Sequence, residues 1–493
     1  MKRIFRTSFL SLMLLLALPA WAQEQVLTLD ECQRLAQQRN KQVQLAGLSI
    51  EQAQHEQRAA RTHYLPKVSL TASYMRLGES PSLLSGHQQE VLSQVGTTLV
   101  GGLAPQLQQM AQGLLQLHPE LAPLLQKSMS SVPQVAERLN AAGRQLADAF
   151  NMDTRNVAVG SVLLTQPLYM GGKIQAYNRI TQLRQTVATE QLRAQEQALR
   201  LDVQKAYWQV VSLHGKQGLA TAYRDMLDSL RLDVQKMRQA GVATRANELT
   251  VEVELNKAEM TLTKVNDGLT LSRMLLAQLC GLELTAPFRL ADEQQASLPT
   301  TAQTVEPEVS TAWSLRPELR QLDLASRIYG EKVKVERSAF LPQLALVGGW
   351  STTYPSFADG FAKKFHGTWH AGLMLRMPLW EWGEGRHKVR AAKVEARMAQ
   401  LRASEVRERI ELQVNQTALA VNEANRHLLL TERNLSKADE NLRMSRIGFA
   451  EGVVPTSDLL AAQTAWLLAQ NERLDAQIDI RLARAAYEQS IGR

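Results

Sequence analysis

Two segments of this 493-residue chain repeat each other at two different spacings, and the mismatch between the spacings defines its organisation. Arg61–Pro66 (RTHYLP) recurs as Arg337–Pro342 (RSAFLP), 276 positions later. Pro167-Leu168-Tyr169 recurs as Pro378-Leu379-Trp380 only 211 positions later, and that offset persists to Gly241-Val242 against Gly452-Val453 and to Leu249 against Leu460. The chain therefore reads as one unit given twice, the first copy carrying 65 extra residues between Pro66 and Pro167. Such a unit is far longer than the roughly 20 to 50 residues of a solenoid repeat. The expectation is a duplicated domain whose halves pack pseudosymmetrically.

Lys2, Arg3 and Arg6, an apolar run from Phe9 to Leu18 and the small-x-small site Ala20-Trp21-Ala22 form a cleavable secretory signal over residues 1–22. The mature chain is expected to start near Gln23, outside the cytoplasm. A lipid anchor would need a cysteine at that junction, and Cys32 is not there. The formal charge is +8, three units of which belong to the signal, and the remaining charges are interleaved rather than gathered in a basic stripe. That pattern fits solvated helix faces and no nucleic-acid partner. Cys32 and Cys280 are too few for a disulfide scaffold; two buried thiols are expected, with one disulfide left open. No later stretch has the roughly 18 to 20 consecutive apolar residues of a membrane helix. A membrane span would then have to be a closed β-barrel, the other way to satisfy the backbone in lipid.

Thr28-Leu29-Asp30-Glu31 reads as a capping box that starts a helix, and a second helix is expected from about Val43 to Arg61. After Pro66 the residues alternate: Val68, Leu70, Ala72 and Tyr74 against Ser69, Thr71 and Ser73. The second copy repeats this with Leu344, Leu346, Gly348 and Trp350. Return strands follow over 156–166 and through Trp369, Ala371, Leu373, Leu375 and Met377. Each strand has about the 9 to 11 residues that cross a bilayer obliquely. Aromatics gather at their ends: Tyr169, Trp380 and Trp382 on one side, Trp350, Tyr354, Phe357, Phe361, Phe365 and Trp369 on the other, as interfacial girdles do.

After each strand pair proline disappears, and apolar residues recur at helical spacing, as in Leu227, Leu230, Val234 and Met237, or Leu460, Leu467, Leu474 and Ile478. Each copy is expected to hold two long helices joined at a turn, Ala240-Gly241-Val242 in the first and Glu451–Pro455 in the second. Lys173 to Gln239 alone would make a rod of about 100 Å. The domain division is a first structural repeat over 23–284, a linker over 285–311 and a second repeat over 312–493.

Four strands cannot close a membrane barrel, for which about eight are needed. Closure requires several chains, and with them a pore continuous with a tunnel of helices. In element order, and in LTLDEC near the mature start, QPLYMGGK and MPLWEWGEGR after the return strands and FAEGVVPTSDLLAAQ at the last turn, the chain resembles the TolC-like outer-membrane efflux proteins over all but residues 75–156. The resemblance implies a mainly α fold with a membrane β-barrel portion. The assembly it implies is a homotrimer whose 12-strand barrel continues into a 12-helix periplasmic barrel. The implied role is exit duct for an inner-membrane pump of RND, ABC or MFS type, coupled through a periplasmic adaptor, in the outer membrane of a Gram-negative bacterium. No cofactor or metal is implied.

The family also implies a gate at the helical tips, latched by tyrosine, arginine and aspartate and narrowed by two aspartates one turn apart. Aligned on Gly452, one constriction aspartate is Asp458. The other falls on Ala461, the tyrosine on Phe449, the arginine on Val454, and the first-copy latch aspartate on Asn247. A polar latch of the family's kind is therefore not expected from these positions, and Asp458 is the remaining candidate for an acidic constriction, against the plainer role of balancing a helix dipole. The two turns, with Gly241, Val242, Gly452, Val453 and Pro455, are the implied adaptor-docking tips.

The insertion, 75–156, has few charges and helical apolar spacing (Leu107, Met110, Leu114, Leu117), and Gly101-Gly102, Pro105, Pro119, Pro123 and Pro133 are expected to cut it into short helices. A cap over the outer mouth is its expected role. The zinc-protease, nucleophile-elbow and phosphate-loop motifs are missing, and the histidines lack ligand spacing, so an enzyme is not expected. Two other readings stay open: an outer-membrane channel for type I protein secretion, and a soluble periplasmic coiled-coil scaffold or adaptor.

Overall fold

The computed structural model describes residues 25–78, 82, 84–117, 119–150, 155–294, 303–356, 358–359 and 362–493. The signal over 1–22 and the aromatics Phe357 and Phe361 lie outside the described residues. Two units cut across both sequence repeats: a helical one from the residues up to Arg61, Gly172–Ala339 and Trp380–Arg493, and a second from Thr62–Gly171 and Phe340–Leu379.

In chain order the helical unit opens with strand β1 (Gln25–Leu27) and helices α1 (Leu29–Arg39) and α2 (Lys41–Arg61). The second unit follows with strand β2 (Lys67–Arg76), helices α3 (Gly86–Ser93), α4 (Val95–Leu117), α5 (Ala122–Ser130) and α6 (Val132–Ala149), and strand β3 (Asn156–Met170). The helical unit resumes with α7 (Lys173–Gln239), α8 (Arg245–Cys280), strand β4 (Phe288–Leu290), α9 (Val309–Leu315) and α10 (Pro317–Ser338). Strands β5 (Gln343–Tyr354) and β6 (His366–Arg376) complete the second unit, and α11 (Glu384–Ala450) and α12 (Thr456–Ser490) the first.

The duplication holds element by element. Helices α7 and α11 are both 67 residues long, about 100 Å at 1.5 Å per residue. Each starts after a left-handed glycine, Gly172 at φ 85° and Gly383 at φ 82°, a conformation that costs glycine nothing. Helices α2 and α10 begin at Lys41 and Pro317, which preserves the wider of the two offsets. The long helices form because neither contains proline and because apolar residues return every three or four positions. Val203, Tyr207 and Val210 bury one face of α7 in a cluster with Cys32 and Ala36 of α1, Leu276 and Cys280 of α8, and Phe288 and Leu290. Leu227, Leu230 and Val234 do the same further on, against α8, α11 and α12. Ile410, Val414 and Val421 of α11 pack with Ala312, Leu319 and Tyr487.

The Thr28 capping box forms as expected, its side chain accepting from the Glu31 amide while Glu31 accepts from the Thr28 amide. Beside it β1 pairs in parallel with β4, so the segment 285–311 contains a strand. The described part beyond residue 302 lies along the helices. Asn422 exchanges two hydrogen bonds of 3.0 Å with Val305, Asn425 donates to the Gln303 carbonyl at 2.8 Å, and the Tyr487 hydroxyl donates to that of Glu306 at 2.8 Å.

In the second unit the sheet order is β2-β3-β5-β6, antiparallel throughout. The strands are 10, 15, 12 and 11 residues long. Register brings the apolar positions together: Val68 opposes Leu164, Leu70 opposes Val162, which opposes Trp350, and Trp350 opposes Trp369. Leu346 opposes Leu373 and Leu344 opposes Leu375 on the same face. The other face carries Lys67, Ser69, Thr71, Ser161, Thr353, His370 and Arg376. Period-two alternation in four registered strands thus makes one face apolar, and that face is open, with Leu70 76% and Trp369 77% exposed. Gly367 admits the Trp350 indole, since a Cβ there would lie 2.6 Å from the ring. Strands β2 and β6 each have one edge without a partner among the described residues.

The insertion folds into helices α3–α6, with α3 and α4 packed on α6. One expectation fails here: Gly101-Gly102 and Pro105 lie inside the single 23-residue helix α4 instead of breaking it. The carbonyl that proline leaves without its helical donor is that of residue i−4, here Gly101, and neither glycine has a side-chain neighbour to crowd. Pro123 and Pro133 stand in the first turns of α5 and α6, where a missing N–H costs nothing. Close packing depends on Gly96 and Gly143, whose Cβ positions would lie 2.1 Å from the Ala136 carbonyl oxygen and 1.9 Å from that of Leu92. Buried Asn140 reaches across from α6 to accept from the Gly96 and Thr97 amides at 2.7 and 3.1 Å, capping α4 from outside it.

Candidate functional site

The two helical turns end in the same way. In α7 the Gly241 amide bonds the Arg238 carbonyl at 3.0 Å and the Val242 amide that of Met237 at 2.9 Å; in α11 the Gly452 amide bonds Phe449 at 3.1 Å and Val453 bonds Gly448 at 2.8 Å. These paired bonds, with glycine at φ 81° and 73°, are Schellman motifs. Each presents a valine to solvent, Val242 71% and Val453 80% exposed. Thr244 then caps α8 by accepting from the Asn247 amide, whereas Pro455 precedes α12 with no side-chain cap.

Behind the turns lies a shared apolar cluster of Leu227, Leu230 and Val234 from α7, Val251 from α8, Phe449 from α11 and Leu459 and Leu460 from α12. Phe449 is buried in it, and Val454 packs against its edge. The Val454 side chain lies over Gly448, where a Cβ would meet its Cγ2 at 2.5 Å. Both residues act as packing groups in this arrangement. Asp458 is exposed in the first turn of α12, its Oδ1 accepting from Ser457 Oγ at 3.1 Å. Ala461, three residues on, is exposed on the same face. Asn247 Nδ2 donates to Thr456 Oγ1 at 3.3 Å. The turns thus bring Asn247 to the second-repeat tip.

Sequence reasoning overlooked the polar centre of the first turn. Glu248, its side chain only 5% exposed, is held by Arg238 Nε at 2.7 Å from the end of α7 and by Arg245 Nη1 at 2.5 Å. Arg245, beside it on α8, holds the carboxyl below the usual range against the opposing effect of burial, and Arg238 adds to the lowering. At the 211-residue offset Arg238, Arg245 and Glu248 become Phe449, Thr456 and Leu459. One tip is therefore clamped by charge and the other by packing. The pattern Arg245-x-x-Glu248 was visible, but Arg238 joins it only once the turn is folded. Beside the turns a groove is lined by Met226, Leu230, Asp233 and Met237 of α7 and Arg446 and Phe449 of α11. Among the described residues no cluster of His, Cys, Asp or Glu could hold a metal.

Residues 309–493 match the outer membrane efflux protein family. The fusaric acid resistance protein FusA of Burkholderia cepacia is 27% identical over 256 residues, 49% of this chain and 46% of FusA, so the match spans under half of that relative's length. The CmeC outer membrane channel of Campylobacter jejuni superposes with a TM-score of 0.70 at 14% identity, over 94% of this chain and 85% of CmeC. The outer membrane protein VceC of Vibrio cholerae gives 0.68 at 14%, over 94% and 96%. The fold is accordingly that of the outer-membrane efflux channels, a strand pair and a long helical pair given twice. The family match lies in the second repeat, and the likeness of fold extends over nearly the whole length of the chain.

Proposed function

We propose that the chain is the outer-membrane exit duct of a tripartite efflux pump, passing small molecules from an inner-membrane transporter through a periplasmic adaptor to the exterior. One observation carries this reading: a four-stranded antiparallel sheet has a continuous, solvent-exposed apolar face and two edges unpartnered among the described residues. Open edges invite further strands, and lipid tolerates strands only in closed barrels. A homotrimer would contribute twelve strands, pair every edge and turn the apolar face toward outer-membrane lipid. The likeness to FusA, a fusaric acid resistance protein, supports small-molecule cargo over secreted protein. The pump, whether of RND, ABC or MFS type, would engage through the adaptor.

Within this reading the turns holding Gly241, Val242, Gly452, Val453 and Pro455 are the adaptor-docking tips. Asp458, repeated around a three-fold axis, is the acidic constriction. Phe449 and Val454, with Ala461 and Asn247, take the latch positions without supplying a polar latch. Trimers recovered from the outer-membrane fraction, and drug sensitivity on disruption of the gene, test the whole proposal. Release as a soluble periplasmic protein, or loss of a secreted protein with unchanged drug sensitivity, would overturn it. Crosslinks from the adaptor confined to the strands would overturn the docking assignment alone.

A further inference from the structure

The chain's two cysteines, 248 residues apart, meet in the helical unit. Cys32 lies on α1 and Cys280 is the last residue of α8, and neither has any solvent exposure. The Cys280 thiol donates toward the Cys32 carbonyl oxygen, with sulfur and oxygen 3.6 Å apart. The Cys32 thiol is pushed up, first by its hydrogen bond with Cys280 and then by burial. Their helices are pinned on each side of the pair. Asn40 Nδ2 donates to the Leu279 carbonyl at 3.2 Å. Gly281, at φ 67°, lies so close to α1 that a Cβ would meet Arg39 Cβ at 2.5 Å. On the other side Leu27 pairs with Leu290. The two thiols are thus held together by contacts independent of them.

We propose that Cys32 and Cys280 form a disulfide that joins the start of the mature chain to the end of the first helical pair. The proposal rests on the extracytoplasmic location under Proposed function, because disulfides persist in oxidising compartments. Two S–H bonds break and one S–S bond forms; the two protons and two electrons pass to a disulfide oxidant, which leaves as its dithiol. Since both sulfurs are sealed in the folded core, closure occurs while the chain is still folding. The finished bond is then out of reach of reductants until the protein unfolds.

The test begins with protein solubilised from the outer-membrane fraction, denatured in an alkylating reagent without reductant, digested and weighed. A joined peptide pair containing both cysteines, and no alkylated thiol, is expected; adding reductant to the denatured sample should yield two alkylated thiols per chain. Two alkylated thiols without reductant, in protein recovered from the outer membrane, would overturn the disulfide. Recovery in the cytosolic fraction would instead overturn the location. The purified chain would then be unfolded and refolded in detergent with oxidised glutathione, and failure of the pair to close would overturn the geometry. A further readout uses Cys32→Ala, Cys280→Ala and the double variant. A disulfide predicts that either single change lowers the thermal midpoint about as much as both together, and shifts that add would contradict it.

Discussion

Asn247 of the first helical turn donates to Thr456 Oγ1 of the second at 3.3 Å, so the two tips of one chain are joined by a side-chain hydrogen bond. The resemblance placed a latch aspartate at position 247. The amide there instead makes a contact between repeats that charge is not needed to hold. A part-buried hydrogen bond of this kind contributes about 1 kcal/mol. In Asn247→Ala, amide hydrogen exchange over residues 240–250 and 451–458 should rise about fivefold, as a loss of that size implies. Unchanged exchange would show that the apolar cluster alone joins the tips.

Glu248 supplies a pH dependence. Its folded-state value lies below the ordinary 4.5, principally through Arg245. Its contribution to the tip is therefore complete above pH 4.5 and is lost as pH falls through the lowered folded value. Glu248→Gln should loosen residues 238–252 at neutral pH, and its difference from the parent should shrink on acidification. Exchange or limited proteolysis across that range measures it; a difference that grows toward low pH would contradict the assignment.

Asp458 is exposed in the first turn of α12 with Ala461 beside it. If it lines a constriction, Asp458→Ala should reduce cation selectivity and divalent block of the reconstituted channel, and Ala461→Asp should increase both. Identical conductance in all three proteins would leave Asp458 with only a dipole-balancing role.

The two sheet faces should respond oppositely to charge. Leu373→Arg, on the apolar face, should cost about 2 to 4 kcal/mol if that position sits near the bilayer midplane and deplete assembled protein in the outer membrane. Thr71→Arg, on the other face, should assemble normally. Equal assembly of both variants would mean that lipid does not cover the apolar face.

In the insertion, Gly143→Ala brings a methyl group against the Leu92 carbonyl, and overpacking of this kind costs about 1 to 3 kcal/mol. Residues 86–149 should become protease-sensitive while the rest of the chain remains resistant. Deleting residues 81–152 should raise passive permeability if the bundle caps the outer mouth. Unchanged conductance and antibiotic entry would assign it to the rim or to lipopolysaccharide.

Much of this architecture was legible because the chain is its own comparison. Two copies at fixed offsets located the strands and both long helices, and β2 betrays itself by strict alternation. The misreading at Gly101-Gly102 and Pro105 has a physical source: these residues weaken a helix locally, but the packing of α4 on α6 overrides that preference. The Glu248 clamp was hidden because Arg238 precedes the turn that brings it into reach. The meeting of Cys32 and Cys280 was hidden because contact across 248 residues is a property of the folded core.

The equal length of α7 and α11 constrains how such a chain can change. A helix advances 1.5 Å and turns about 100° with every residue. A single deletion within α7 alone would retract its turn, rotate Gly241 and Val242 away from their counterparts and separate Asn247 from Thr456. Length variation in the two helices must therefore arise in matched steps, while the loop between β2 and β3 is free to acquire a whole folded bundle.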